Sequence, residues 1–337
     1  MSSSSNNQSQ RTLDGWLSGP RPTASSPAVG PSRTQASNSS SRQQSSATSA
    51  RDKQRAALAA ISKETRIVLP DILPQIPHAH ASKSEALFLS TLLALKTADC
   101  PRRTASGKAK IKIINDDTLN VAISLAAHAP NGGRVAVLNM ASHSNPGGGW
   151  LSGASAQEEA LCYRSSLALS LHKRYYPWEQ RMGIYTPDVV VIRSDIPSGH
   201  KLLVPDMKPL DLPIVSALSI AAPRNPKTAR VTRTAPAGGT YQRTVYADPA
   251  TRELMKDKMR LCLRMAAHRD HGLLVLGALG CGAFHNPRRE VAWCWLEVLR
   301  EQEFAGGWWQ EVWFAVYDRR NEGNFEAFEE ILEGVEV

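Results

Sequence analysis

Large apolar residues are sparse over the first 52 positions of this chain and then recur with regular spacing to its end. Ser, Gln, Asn, Thr and Pro dominate residues 1–52. Such a segment cannot bury enough apolar surface to offset its ordering entropy, and it reads as a disordered tail. Residues 53–337 suffice for one large domain with a full core. Residues 51–63 and 83–98 read as helices, the second with Leu87, Leu92 and Leu95 near one face. Residues 134–140 (RVAVLNM) predict a buried strand, 156–172 a helix, and 189–193 and 214–220 short strands. Residues 248–268 predict a long helix, and 273–276 (LLVL) a continuous apolar strand. Helix 287–303, strand 312–317 and helix 324–332 follow. Short apolar strands alternating with helices indicate an α/β layered domain whose sheet is covered on both faces. Ligands in such folds bind in loops beyond the carboxyl ends of strands.

Between two of these strands and the helices that follow lie glycine-rich loops. The first, Asn145-Pro146-Gly147-Gly148-Gly149, leads to Gln157-Glu158-Glu159. A glycine triplet lets backbone approach a ligand closely, and a carboxyl group just beyond it supplies a proton to whatever the loop holds. Ser155-x-x-Glu158 has the form of a capping box, with Ser155 as N-cap and Glu158 at N3. That gives Glu158 a structural alternative and leaves Glu159 as the candidate acid, while Gln157 is placed to orient a ligand hydroxyl or the loop backbone. The second loop, Gly277–Phe284, has the strand-to-helix position of an anion-binding nest, with Phe284 placed either in the core or against a ribose ring. A Rossmann site fits poorly, because this glycine pattern lies near the C-terminus and His285 occupies the place of its third glycine. His143 and His285 flank the two loops with no third ligand near in sequence, so neither a metal nor a cofactor is expected.

Charge and cysteines narrow the setting. The net charge of +9 favours polyanionic partners, or serves only solubility. The aperiodic stretch 224–243 reads as a basic surface loop. Its Arg224, Lys227, Arg230, Arg233 and Arg243 are either solvated or in contact with an extended anionic substrate. Five scattered cysteines without a CxxC pair argue against structural zinc and a disulfide framework, and point to a reducing intracellular compartment. No apolar run approaches a membrane span, and the Ser-rich start lacks a signal-peptide core.

Gly147-Gly148-Gly149, seven residues, then Gln157-Glu158-Glu159 resembles the signature of poly(ADP-ribose) glycohydrolases of the compact microbial type. Lys63-Glu64-Thr65, Asn115-Asp116-Asp117-Thr118, Tyr175-Tyr176-Pro177, residues 184–188 (IYTPD), Gly280-Cys281-Gly282-Ala283-Phe284 and residues 312–318 (VWFAVYD) also resemble family landmarks. The resemblance covers roughly residues 55 to 335. It implies a macrodomain-like three-layer α/β/α sandwich with a central mixed sheet, here with an N-terminal helical extension. It implies a glycosidase that cleaves ribose–ribose O-glycosidic bonds of poly(ADP-ribose), with Glu159 as catalytic acid and Glu158 holding the adjacent ribose. Asn145 and Gly147–Gly149 would line the distal ribose and diphosphate. Gly280, Cys281, Gly282 and Ala283 would form a second diphosphate loop, with Phe284 fixing that ribose. Neither metal nor cofactor is implied.

Competing readings are a non-catalytic ADP-ribose reader and a hydrolase of mono-ADP-ribosylated protein or nucleic acid. A nicotinamide-dependent oxidoreductase fits less well. In the tail, Gln10, Leu13, Trp16 and Leu17 (positions 10–17, QRTLDGWL) resemble the peptide by which replication and repair proteins bind the DNA sliding clamp, with Leu17 in place of the final aromatic. Clamp binding would place the protein in the nucleus, in the DNA damage response; without it, nucleus and cytoplasm both fit.

Overall fold

The computed structural model describes residues 39–234 and 238–337, with side chains from residue 49 onward. The tail peptide at positions 10–17 lies outside the described residues. Seven strands form one mixed sheet in the order β1-β4-β5-β3-β8-β9-β2. They are β1 (Glu85–Phe88), β2 (Ile111–Ile114), β3 (Ala136–Met140), β4 (Met182–Val190), β5 (Ile214–Ile220), β8 (Leu273–Gly277) and β9 (Glu311–Ala315). The run β5-β3-β8-β9-β2 is parallel, and β4 joins β5 antiparallel.

Helices cover both faces, as continuous apolar strands require. Helices α4 (Pro249–His268), α5 (Arg288–Leu299) and α6 (Asn324–Leu332) pack on one face around Met259, Trp295 and Phe328. Helices α1 (Ser39–Ile72), α2 (Thr118–His128) and α3 (Gln157–Arg164) pack on the other around Leu69, Leu125 and Leu161. Successive strand residues alternate between the two cores: Leu274 and Leu276 join the first, Leu273 and Val275 the second. The result is the expected α/β/α sandwich.

Four local expectations are corrected. Helix α1, Ser39–Ile72, is longer than the helix expected over 51–63. Its buried stripe of Leu58, Ser62, Thr65, Leu69 and Ile72 follows helical spacing. Residues 83–98 are not a helix. They form β1 and a turn, and Leu87, Leu92 and Leu95 reach the core from an extended chain. The helix expected over 156–172 stops at Arg164, because Ser165 and Ser166 turn the chain onto β4: Ser165 bridges Val191, and the Ser166 hydroxyl accepts from Val190 N at 2.9 Å. Finally, 224–243 is no loop. It enters a two-stranded ribbon of β6 (Thr228–Thr234) and β7 (Thr240–Tyr246). Few of its side chains are buried, so the ribbon leaves no alternating apolar signature.

Candidate active site

The two glycine-rich loops leave the carboxyl ends of adjacent parallel strands, β3 and β8. A Cβ on Gly277, the last residue of β8, would lie 3.3 Å from the side chain of Met140, the last of β3. Residues far apart in sequence are thus brought to one edge of the sheet. From β3 the chain turns through Gly147 and Gly148, whose φ angles of +68° and +59° belong to the left-handed region. A short 3-10 turn at Trp150–Ser152 leads to α3.

At the head of α3 the three polar side chains diverge. Gln157 accepts from Met140 N at 2.8 Å and donates to Leu138 O at 2.7 Å and Thr118 Oγ1 at 3.1 Å. Its amide is committed to pinning α3 against β3 and α2, so it positions the site and does not face a ligand. The capping box does not form. Ala156 occupies the N-cap without a side-chain bond, and Glu158 Oε2 instead accepts from Ser142 N at 2.8 Å, with Oε1 3.5 Å from Asn139 Nδ2. Glu159 Oε1 accepts from Gly149 N at 2.8 Å. Both carboxylates therefore lie on the glycine loop. Gly148 passes so close that any Cβ there would collide with Glu159 Oε1 and sit 3.1 Å from Glu158 Oε2. The triplet is needed for this approach.

Glu158 and Glu159 are 3% and 8% exposed, and among the described residues neither forms an ion pair. Burial, with the neighbouring Glu159 charge adding to it, pushes Glu158 up to about 8 against the pull of the Ser142 N–H. The Cys162 thiol beneath is pushed up by the same burial and by both glutamates. Tyr163 fixes the loop to the helix: its hydroxyl donates to Ala154 O at 2.7 Å and Trp150 O at 2.9 Å. Behind the loop stands α1. Gly153 packs on the Arg55 backbone so closely that a Cβ has no room, and the Arg55 guanidinium donates to Ser152 O at 3.4 Å. Among the described residues the buried Tyr176 hydroxyl has no hydrogen-bond partner.

Asn286 organises the second loop. Its Nδ2 donates to Pro223 O at 2.8 Å and Gly280 O at 3.0 Å, while its Oδ1 accepts from Tyr246 OH at 2.9 Å. These bonds join the loop after β8 to the exit of β5 and the base of the ribbon. Asn225 N donates to Phe284 O at 2.9 Å, and the Arg224 guanidinium lies 5.9 Å from the Phe284 ring centre. Gly282 and Ala283 are exposed, Cys281 and Phe284 half-buried, and Asn145 is exposed at the mouth of the first loop. Asp117 caps α2 through Leu119 N at 2.8 Å and pairs with buried Arg164. Among the described residues no group of three His, Cys, Asp or Glu side chains is placed to hold a metal ion. Sequence reasoning missed Asn139 and Asn286, which belong to no spaced motif.

The arrangement offers two adjacent carboxyl groups, one retaining its proton near neutrality, beside two runs of loop backbone. The family model of the microbial-type poly(ADP-ribose) glycohydrolase (PARG) catalytic domain matches residues 43–194. Over these residues the chain is similar to this family. Residues 43–194 include both glutamates and the glycine triplet, while the loop after β8 lies beyond them. Solved structures extend the likeness beyond those residues. The poly(ADP-ribose) glycohydrolase of Thermomonospora curvata is 25% identical, over 81% of this chain and 98% of that one, with a TM-score of 0.62. The same enzyme bound to the inhibitor ADP-HPD is 26% identical, with a TM-score of 0.61. That of Deinococcus radiodurans, in complex with ADP-ribose, is 27% identical over 79% of this chain and 99% of that one, with a TM-score of 0.58. No curated protein matches the chain.

Proposed function

We propose that this chain hydrolyses ribose–ribose O-glycosidic bonds of poly(ADP-ribose) and releases ADP-ribose, with Glu159 as general acid and then general base. The observation that carries the reading is the seating of Glu159 on the Gly149 N–H at the mouth of the glycine loop, buried and without a cation. Cleavage passes through an oxocarbenium-like centre, so the leaving oxygen needs a proton. A diphosphate bound along Gly147–Gly149 brings negative charge beside the pair. That charge offsets the positive charge that develops on the ribose in the transition state. Glu158 holds the adjacent ribose, Asn145 borders the distal ribose, and Gly280–Ala283 with Phe284 receive the second phosphate and its ribose. The family match over residues 43–194 and the ligands of the two solved relatives support this assignment.

Purified protein incubated with poly(ADP-ribose) should release ADP-ribose, and Glu159→Ala should stop release while still binding the polymer. Binding without release by the wild type would support an ADP-ribose reader instead. For the tail, we propose that Gln10, Leu13, Trp16 and Leu17 bind a sliding clamp and bring the protein to damaged DNA in the nucleus. Leu13→Ala/Trp16→Ala should abolish clamp binding in calorimetry and leave turnover unchanged. Unchanged clamp affinity would exclude this role.

A further inference from the structure

The β6–β7 ribbon has no partner in the main sheet, yet it is rooted in the candidate site. Tyr246 at its base holds Asn286, and Asn225 just before it bonds the Phe284 carbonyl. From residue 224 to 246 the sequence has five basic residues and no acidic one. One cation, Arg243, is committed: it pairs with Glu290 and lies over Trp293. Lys227, Arg230 and Arg233 are exposed and form no ion pair among the described residues. Arg233 stands directly across from Tyr241, which is 44% exposed. Directly paired residues project to the same face, so a cation and an open aromatic ring are presented together. Seven residues per strand carry this pair about 20 Å from the ribbon's base.

We propose that the ribbon is a docking arm for the part of the poly(ADP-ribose) chain beyond the unit held between the two glycine-rich loops. Its free cations meet diphosphates, and Tyr241 stacks on an adenine. The inference rests on the function proposed above and names how that substrate is held. A chain that repeats diphosphate and adenine matches an arm with exposed cations on both faces and one open aromatic ring beside Arg233. Continuity with Phe284 gives the polymer a path from the arm to the site.

The test is a binding experiment on the full chain in a Glu159→Gln background, where polymer is not consumed. Labelled long poly(ADP-ribose) and a two-unit oligomer are titrated against protein with and without Arg230→Gln/Arg233→Gln/Tyr241→Ala. The substitutions should weaken long-polymer binding about tenfold and flatten its log–log salt slope by about 0.7 per lost phosphate contact. The two-unit oligomer should bind as before, and Tyr241→Trp should bind long polymer as well as the parent. Equal affinity for long polymer with and without the arm substitutions would overturn the proposal. Equal loss for both ligands would also overturn it, since the arm would then act only through the site loops. Single-stranded DNA of matched charge that competes as strongly as the polymer would make the occupant nucleic acid. Failure of the wild type to cleave the two-unit oligomer refutes the proposed activity without touching this comparison.

Discussion

Replacing Gly148 by alanine isolates the closest contact in the site. The new methyl group would overlap Glu159 Oε1 and stand 3.1 Å from Glu158 Oε2. Two costs follow. At a φ of +59° an L side chain costs about 1–2 kcal/mol. Clearing the overlap then requires the Glu159 carboxylate to shift by about 1 Å, away from the Gly149 N–H, and a misplacement of that size costs on the order of 100-fold in rate. Gly133 provides the control, because its φ is +81° and a Cβ there meets nothing within 4 Å. Both variants should fold and melt a few degrees lower, about 2–4 °C per kcal/mol. Only Gly148→Ala should lose turnover, measured as ADP-ribose released from poly(ADP-ribose). Near-normal turnover in Gly148→Ala would refute the placement of Glu159. So would an equal loss in Gly133→Ala, which would assign the effect to backbone strain.

Other expected outcomes follow from the same geometry. Glu158 has a carboxyl value near 4.5 when unfolded and about 8 when folded, so folding takes up a proton between these limits. Its contribution to stability is fully present below about pH 4.5 and is lost as pH rises through about 8. Glu158→Gln should remove that fall in urea melts across pH 5–9, and an unchanged slope would contradict it. Asn286→Ala leaves the buried Tyr246 hydroxyl and the Pro223 carbonyl without their side-chain partner. It should cost about 1–3 kcal/mol in denaturant melts and raise KM more than it lowers kcat. Gly153→Ala drives a methyl group into the Arg55 backbone of α1. Limited proteolysis should then cut α1 faster than in the wild type, and unchanged protection would refute the close packing.

Strands β3, β5 and β8 are legible because both their faces are buried, which leaves continuous apolar runs that need no partner to be recognised. The ribbon is not: Thr228, Arg230, Thr232 and Thr234 share an exposed face, and no period marks it. Residues 83–98 mislead because leucines at near-helical spacing also serve a strand followed by a turn. The local S-x-x-E pattern predicts a cap, but tertiary structure overrides it, since the loop after β3 brings the Ser142 N–H to Glu158. Thus Glu158 and Glu159 were both placed in the site by motif, while the bonds that distinguish them come from residues outside it. Asn139 and Asn286 are single polar residues in apolar or loop surroundings, and only the assembled sheet reveals what they hold.

Strand β3, which launches the acid-bearing loop, lies between β5 and β8, both encoded later in the chain. As the polypeptide leaves the ribosome, the glutamates therefore emerge before either flanking strand exists. Pairing across such sequence distances is slow to form, so catalytic geometry is among the last properties the nascent chain acquires. A fragment ending at residue 194 would possess every motif of the first loop and neither strand that flanks β3. Assembly of the site is in this sense timed by translation, complete only when the segment through β8 has been made.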